Sequence, residues 1–190
     1  ALLDGRLGVA IGDVAGSGLR AAVVMGRMRN MLRAYAVEDD APSSVLTRLD
    51  RAFGHLEPNE LATVGYGIVD LERSTLTYAS AGHLPPVVAV PGADVTLVTG
   101  RVAPPICSGV AGRAEDVTVD LPGGTTFAVY TDGLVERRGR SLTDGLDELR
   151  RHFSAGPPME VCGTVIDGLV GATPTTDDTA LLVARVGATS

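Results

Sequence analysis

The chain is 190 residues long, 45% hydrophobic and 21% charged, with a formal net charge of −7 at pH 7. That length and apolar content suit one sizeable domain with a real core, and the acidic balance excludes the basic footprint of a nucleic-acid binder and disfavours anionic membranes. No apolar run reaches the ~20 residues of a membrane span, and the widely separated Cys107 and Cys162 form no CxxC pair, which together point to a cytoplasmic protein with reduced thiols.

The chain opens on "ALLDGRLGVAIGD", whose apolar run from Leu7 predicts a buried strand. In "GLRAAVVMGRMRNMLRAYAVE" the residues Ala22, Val23, Met25, Met28, Leu32 and Tyr35 recur at helical spacing and predict a first helix. A second is predicted over "APSSVLTRLDRAFGHL", started by Pro42 and Ser43, with Val45, Leu46, Leu49 and Phe53 on one face. Three hairpins follow by pattern: "LATVGYGIVDL" and "TLTYASAG" around "ERS", "PPVVAV" and "VTLVT" around "PGAD", and "AEDVTVDL" and "TTFAVYTDG" around "PGG". Helical patterns over "LTDGLDELRRHF" and "PMEVCGTVIDGLVGA" lead to a closing apolar strand, "TALLVARV". This order describes an α+β chain with mainly antiparallel sheets and segregated helices. No repeat or long linker interrupts it, so a single domain is expected across 1–190.

The chemistry sits in the acids. Asp13 follows "VAIG" and precedes a glycine-rich turn, Asp132 follows "FAVYT" and precedes Gly133, and Asp177 and Asp178 stand just before the last strand. Each alone fits a turn or cap residue, because Asp accepts backbone N–H bonds. Acids at three strand tips also suit a cation. If those strands are neighbours, the carboxylates converge where the sheet ends, and a cation or protons must offset their repulsion. An all-oxygen set with no His or Cys favours Mg²⁺ or Mn²⁺ over Zn²⁺.

The blocks "GDVAGSGLRAA", "YGIVDLERSTLTYASAGHLPPVV", "LPGGTTFAVYTDGLVERRG" and "DDTALLVARV" occur in the order seen in metal-dependent protein phosphatases. From Leu7 to Val186 the chain resembles the stage II sporulation protein E branch of the protein phosphatase 2C-like superfamily. The resemblance implies a four-layer α-β-β-α sandwich of two mainly antiparallel sheets flanked by helices. It implies a pair of Mn²⁺ or Mg²⁺ ions at one sheet edge and phosphoserine or phosphothreonine proteins as substrates. By the same resemblance Asp13 bridges both ions, Val14 lends its backbone carbonyl to one, and Asp132 and Asp177 share an ion. Asp178 is then a supporting residue or strand cap. Where bound, such ions would bring the pKa of a water between them down to near neutrality, so the resemblance implies attack on phosphorus by hydroxide with no side-chain nucleophile. In this branch the substrate is often an anti-sigma-factor antagonist in partner-switching control of sigma factors. Sensor domains precede the catalytic domain there, and a homodimer is a further partner arrangement.

The chain departs from the family in two ways. Members usually begin with a strand carrying "GGDxYD", and this chain starts just after that point, so an outer strand is expected to be missing. Ser17 also stands where the family commonly has His or Lys. Both departures leave the alternative of a pseudophosphatase, a partner-binding module that keeps the fold without turnover. His83, in "SAGHLPP", reads as a loop-stabilising hydrogen-bonder rather than a proton shuttle, His152 is expected in solvent, and "ERRGR" reads as a solvated turn.

Overall fold

The computed structural model describes residues 2, 5–38, 41–57, 59–137, 139–171 and 178–187. In chain order these form β1 (Leu7–Val14), α1 (Gly18–Glu38), α2 (Pro42–Leu56), β2 (Ala62–Asp70), β3 (Thr75–Ala81), β4 (Val87–Ala89) and β5 (Thr96–Leu97). There follow β6 (Val117–Asp120), β7 (Thr126–Tyr130), a 3₁₀ helix (Asp132–Leu134), α3 (Leu142–His152), α4 (Pro158–Leu169) and β8 (Leu181–Arg185). Two antiparallel sheets and four α-helices make this an α+β fold, as the pattern predicts. The chain divides into two compact units, Ala1–His83 with Thr99–Asp120, and Leu84–Val98 with Leu121–Ser190.

In the first unit the strand order is β1-β2-β3-β6, antiparallel throughout. β2 is central and almost wholly buried. β1 is not the buried strand its composition predicts. It is the edge of the described sheet, and only Val9 and Val14 are buried along it. α2 buries the predicted face, Val45, Leu46, Leu49 and Phe53, together with Pro42. Each of these large side chains is worth about 1.5–3 kcal/mol when fully buried. α1 buries Val24, Met28, Leu32 and Ala36, while Ala22 and Val23 lie outside. Its first turns are apolar on most sides, so spacing alone does not select the inward face; packing on α2 and on Val64, Tyr66 and Ile68 of β2 does.

Glycines in β2 make room for an aromatic ring. A Cβ at Gly65 would stand 1.8 Å from the Tyr78 hydroxyl oxygen, and one at Gly67 would stand 3.1 Å from Tyr78 Cδ2. Burial pushes the Tyr78 phenol above its ordinary pKa, against a hydrogen bond from Ser80 that lowers it. The β2–β3 turn is fastened by Asp70, which accepts the Arg73 N–H at 2.8 Å and pairs with its guanidinium at 2.9 Å. That backbone bond is the main reason the Asp70 carboxyl lies below the usual range.

In the second unit the order is β5-β4-β7-β8, again antiparallel. All five residues of β7 are buried, and Ala128 and Tyr130 share a core with Leu134, Leu149, Phe153, Val161 and Val165. The third predicted hairpin does not form. β6 pairs with β3, whereas β7 pairs with β4 and β8. The "PGG" turn is a local signal, but partner choice follows burial: β7 needs a neighbour on each side, and half-exposed β6 suits an edge. β8, the closing apolar strand, is the edge of its described sheet, with its side chains half-buried or exposed. His152 is not in solvent. Its Nδ1 lies 3.0 Å from the Glu148 carbonyl, and its ring covers Gly168, where a Cβ would meet Cδ2 at 2.3 Å. Among the described residues no helix is long and apolar enough to cross a membrane.

Candidate functional site

Asp13 is set by the β1–β2 ladder. Ala15 donates its N–H to the Leu61 carbonyl at 2.9 Å, and pairs in an antiparallel ladder alternate between bonded and non-bonded. Asp13↔Thr63 is therefore a bonded pair and Val14↔Ala62 is not. Ala62 agrees, since its N–H and carbonyl go to Ile106 instead, at 3.2 and 2.8 Å. The Val14 carbonyl is thus turned away from β2, the direction a backbone metal ligand needs. The Val14 side chain is buried and residue Asp13 is exposed.

The surroundings of Asp13 are built for close approach. A Cβ at Gly12 would stand 2.7 Å from the Thr63 carbonyl oxygen, so glycine alone lets β1 sit this near β2. The turn that follows holds Gly16 at φ 111° and Gly18 at φ 80°, in the left-handed region where glycine carries no steric cost. Thr63, opposite Asp13, has its Oγ1 2.9 Å from His83 Nδ1. Ser80 Oγ donates to the His83 carbonyl at 2.7 Å and accepts its N–H at 3.0 Å. Buried and pinned this way, His83 holds the loop, the role its sequence context favours.

Asp132 belongs to the second unit and opens the 3₁₀ helix directly after β7 and Thr131. Its Oδ1 accepts the Gly133 N–H at 2.8 Å, and its main-chain carbonyl accepts from Val135 at 2.9 Å and Glu136 at 2.7 Å. Leu134 and Val135, both fully buried, anchor that turn. Asp132 itself is half-buried. Thr131 fastens the approach to β8 beside it. Its N–H donates to the Ala180 carbonyl at 3.0 Å, while its Oγ1 accepts the Ala180 N–H at 2.9 Å and donates to the Asp178 carbonyl at 3.2 Å. The structure thereby brings the Asp132 and Asp178 segments together; Asp177, the predicted ligand, lies outside the described residues. The Thr131 clamp is not legible in the sequence, where a hydroxyl before the acid in "YTD" is its only signal.

"ERRGR" is not simply a solvated turn. Arg137 donates to the Leu169 carbonyl at the end of α4 at 3.1 Å, and Arg140 donates to the Val135 carbonyl, three residues after Asp132, at 2.9 Å. Among the described residues no group of three or more His, Cys, Asp or Glu side chains is gathered as a metal site. The Asp13 carboxylate and Val14 carbonyl in the first unit, and separately the Asp132 carboxylate in the second, are hard oxygens, the donor type that Mg²⁺ or Mn²⁺ takes.

Comparison with known proteins gives a consistent answer. Phosphoserine phosphatase RsbU of Bacillus subtilis (strain 168) is 31% identical over 80 residues, which span 42% of this chain and 24% of that protein. The solved RsbU and RsbW domains of Rv1364c from Mycobacterium tuberculosis are 30% identical, with a TM-score of 0.83 over 97% of this chain and 53% of that one. The chain thus spans about a quarter and about half of these two relatives. The catalytic domain of serine threonine protein phosphatase PstP, solved with 2 manganese ions, shares the fold at 13% identity, with a TM-score of 0.61 over 95% of this chain and 87% of that one. The family described as Stage II sporulation protein E (SpoIIE) matches residues 3–187, and the chain belongs to that family.

Proposed function

We propose that the chain is a metal-dependent phosphatase acting on phosphoserine or phosphothreonine in a protein. The observation that carries this reading is the family match over residues 3–187, within which two of the described acids, exposed Asp13 and half-buried Asp132, stand at strand ends. Asp13, the Val14 carbonyl, Asp132 and Asp177 are the oxygens that would hold Mn²⁺ or Mg²⁺. When bound, a pair of such ions supplies Lewis-acid stabilisation of the phosphoryl oxygens and an acidified water. The chain's own contribution is placement. The β1–β2 ladder fixes Asp13 and turns the Val14 carbonyl outward, and the Gly133 N–H fixes one oxygen of Asp132. The relatives named RsbU support a phosphorylated anti-sigma-factor antagonist as substrate, within partner switching.

The test is a phosphate-release assay with Mn²⁺ or EDTA, comparing a phosphoserine protein with p-nitrophenyl phosphate. Mn²⁺-dependent release from the phosphoprotein is expected. Hydrolysis of the small ester alone would redirect the substrate class, and no turnover on either would leave a binding module.

A further inference from the structure

The first turn of α1 carries Arg20 and no acid, although the positive end of a helix dipole favours an anion. Arg20 therefore does not serve the helix. Its Nε donates to Glu60 Oε1 at 2.8 Å, 40 residues along the chain. The Glu60 side chain is only 10% exposed while that of Arg20 is 80% exposed. A carboxylate so buried needs a cation or a proton. Arg27, two helical turns beyond Arg20 on the same face of α1, pairs with Glu57. The loop before β2 is thus tied twice to α1.

This tie closes a turn. Leu61, next to Glu60, accepts the Ala15 N–H at 2.9 Å. The stretch from Ala15 to Arg20 is therefore held at both ends by adjacent residues of one loop. Within it Gly16 and Gly18 take positive φ, and nothing lies within 4 Å of where a Cβ on either would stand. Ala15, Gly16 and Ser17 are exposed. With so little packing of its own, the turn takes its shape from the closure, and Asp13 and Val14 lead directly into it. We infer that the Arg20–Glu60 pair is a positioning device for the Asp13 carboxylate and the Val14 carbonyl. The inference rests on reading those two groups as metal ligands.

The test uses the 190-residue chain with Arg20→Gln, the near-isosteric Glu60→Gln, and the reversed pair Arg20→Glu with Glu60→Arg. Each is measured for its Mn²⁺ dissociation constant by electron paramagnetic resonance of free Mn²⁺, for amide exchange across residues 15–19, and for its melting midpoint. Supporting-residue losses at metal sites typically weaken binding ~10–100-fold. Both single variants should weaken Mn²⁺ binding about tenfold or more and speed exchange in the turn, and the reversed pair should recover part of both. Wild-type affinity and exchange in both single variants overturn the inference, as does a reversed pair that recovers stability but not affinity. If the wild-type chain binds no Mn²⁺, the metal reading falls and this inference with it. If the wild type binds and the variants match it, only the positioning role falls.

Discussion

Gly12→Ala probes the coupling between sheet packing and the candidate ligand beside it. Gly12 faces Val64 across the β1–β2 ladder, and an added Cβ would stand 2.7 Å from the Thr63 carbonyl oxygen and 3.5 Å from Val64 Cγ2. The Thr63 oxygen belongs to the backbone and cannot rotate aside. Ordinary contact begins near 3.4 Å, so β1 must retreat from β2 by the difference, about 0.7 Å. Overpacking of this kind costs about 1–3 kcal/mol, or roughly 2–4 °C of melting temperature per kcal/mol at this length. The retreat falls next to Asp13, and metal–ligand distances hold to within about 0.2 Å. Gly12→Ala is therefore expected to stay folded, melt several degrees lower, and lose Mn²⁺ affinity well below its own melting range. Thermal melts and a Mn²⁺ titration at 20 °C check this. A wild-type midpoint together with an affinity within twofold of wild type would mean that β1 need not retreat from β2 to take the methyl.

Gly26→Ala, in the middle of α1 with nothing within 4 Å of the new methyl, is expected to stabilise the chain by about 0.5–1 kcal/mol, read as a raised urea midpoint; a lowered one would contradict the open geometry. Gly65→Ala should cost about 3 kcal/mol or more by evicting the Tyr78 ring. The double variant with Tyr78→Ala should cost less than the sum of the two singles, because both act on one contact; strict additivity would count against that packing. Burial first, then the charges of Asp50 and Glu60, push the Cys107 thiol up. Less thiolate is then present near pH 8.5, and Cys107 should react with iodoacetamide more slowly in the folded chain than in urea, as mass spectrometry of the labelled peptide would show; equal rates would contradict it.

Local patterns are legible where one face of an element differs sharply from the other. α2 shows this, with Val45, Leu46, Leu49 and Phe53 buried as spaced. α1 shows the opposite, because "LRAAVVM" is apolar on most sides, and the partner elements choose Val24 over Val23. Strand partners are less legible still. "PGG" has the chemistry of a hairpin turn, yet β6 and β7 join different sheets, since pairing is decided by strands distant in sequence. The same reason hides which strands are edges: β1 and β8 are as apolar as central strands. At the candidate site, strand-acid-turn spacing singles out Asp13 and Asp132. The outward turn of the Val14 carbonyl needs the register, and the Thr131 clamp and the Arg20–Glu60 pair need contacts across tens of residues.

These carboxylates are proposed to hold the cations that would activate water for hydrolysis of a phosphoprotein. Asp132→Asn tests this most directly, because the amide oxygen can still accept the Gly133 N–H that Oδ1 now accepts at 2.8 Å. The fold should survive, and only the charge that a hard cation needs is removed. The measurement is Mn²⁺-dependent phosphate release from a phosphoserine protein by wild type and Asp132→Asn side by side. Release by the wild type with the variant at background is the predicted result; equal rates from both chains would contradict the account.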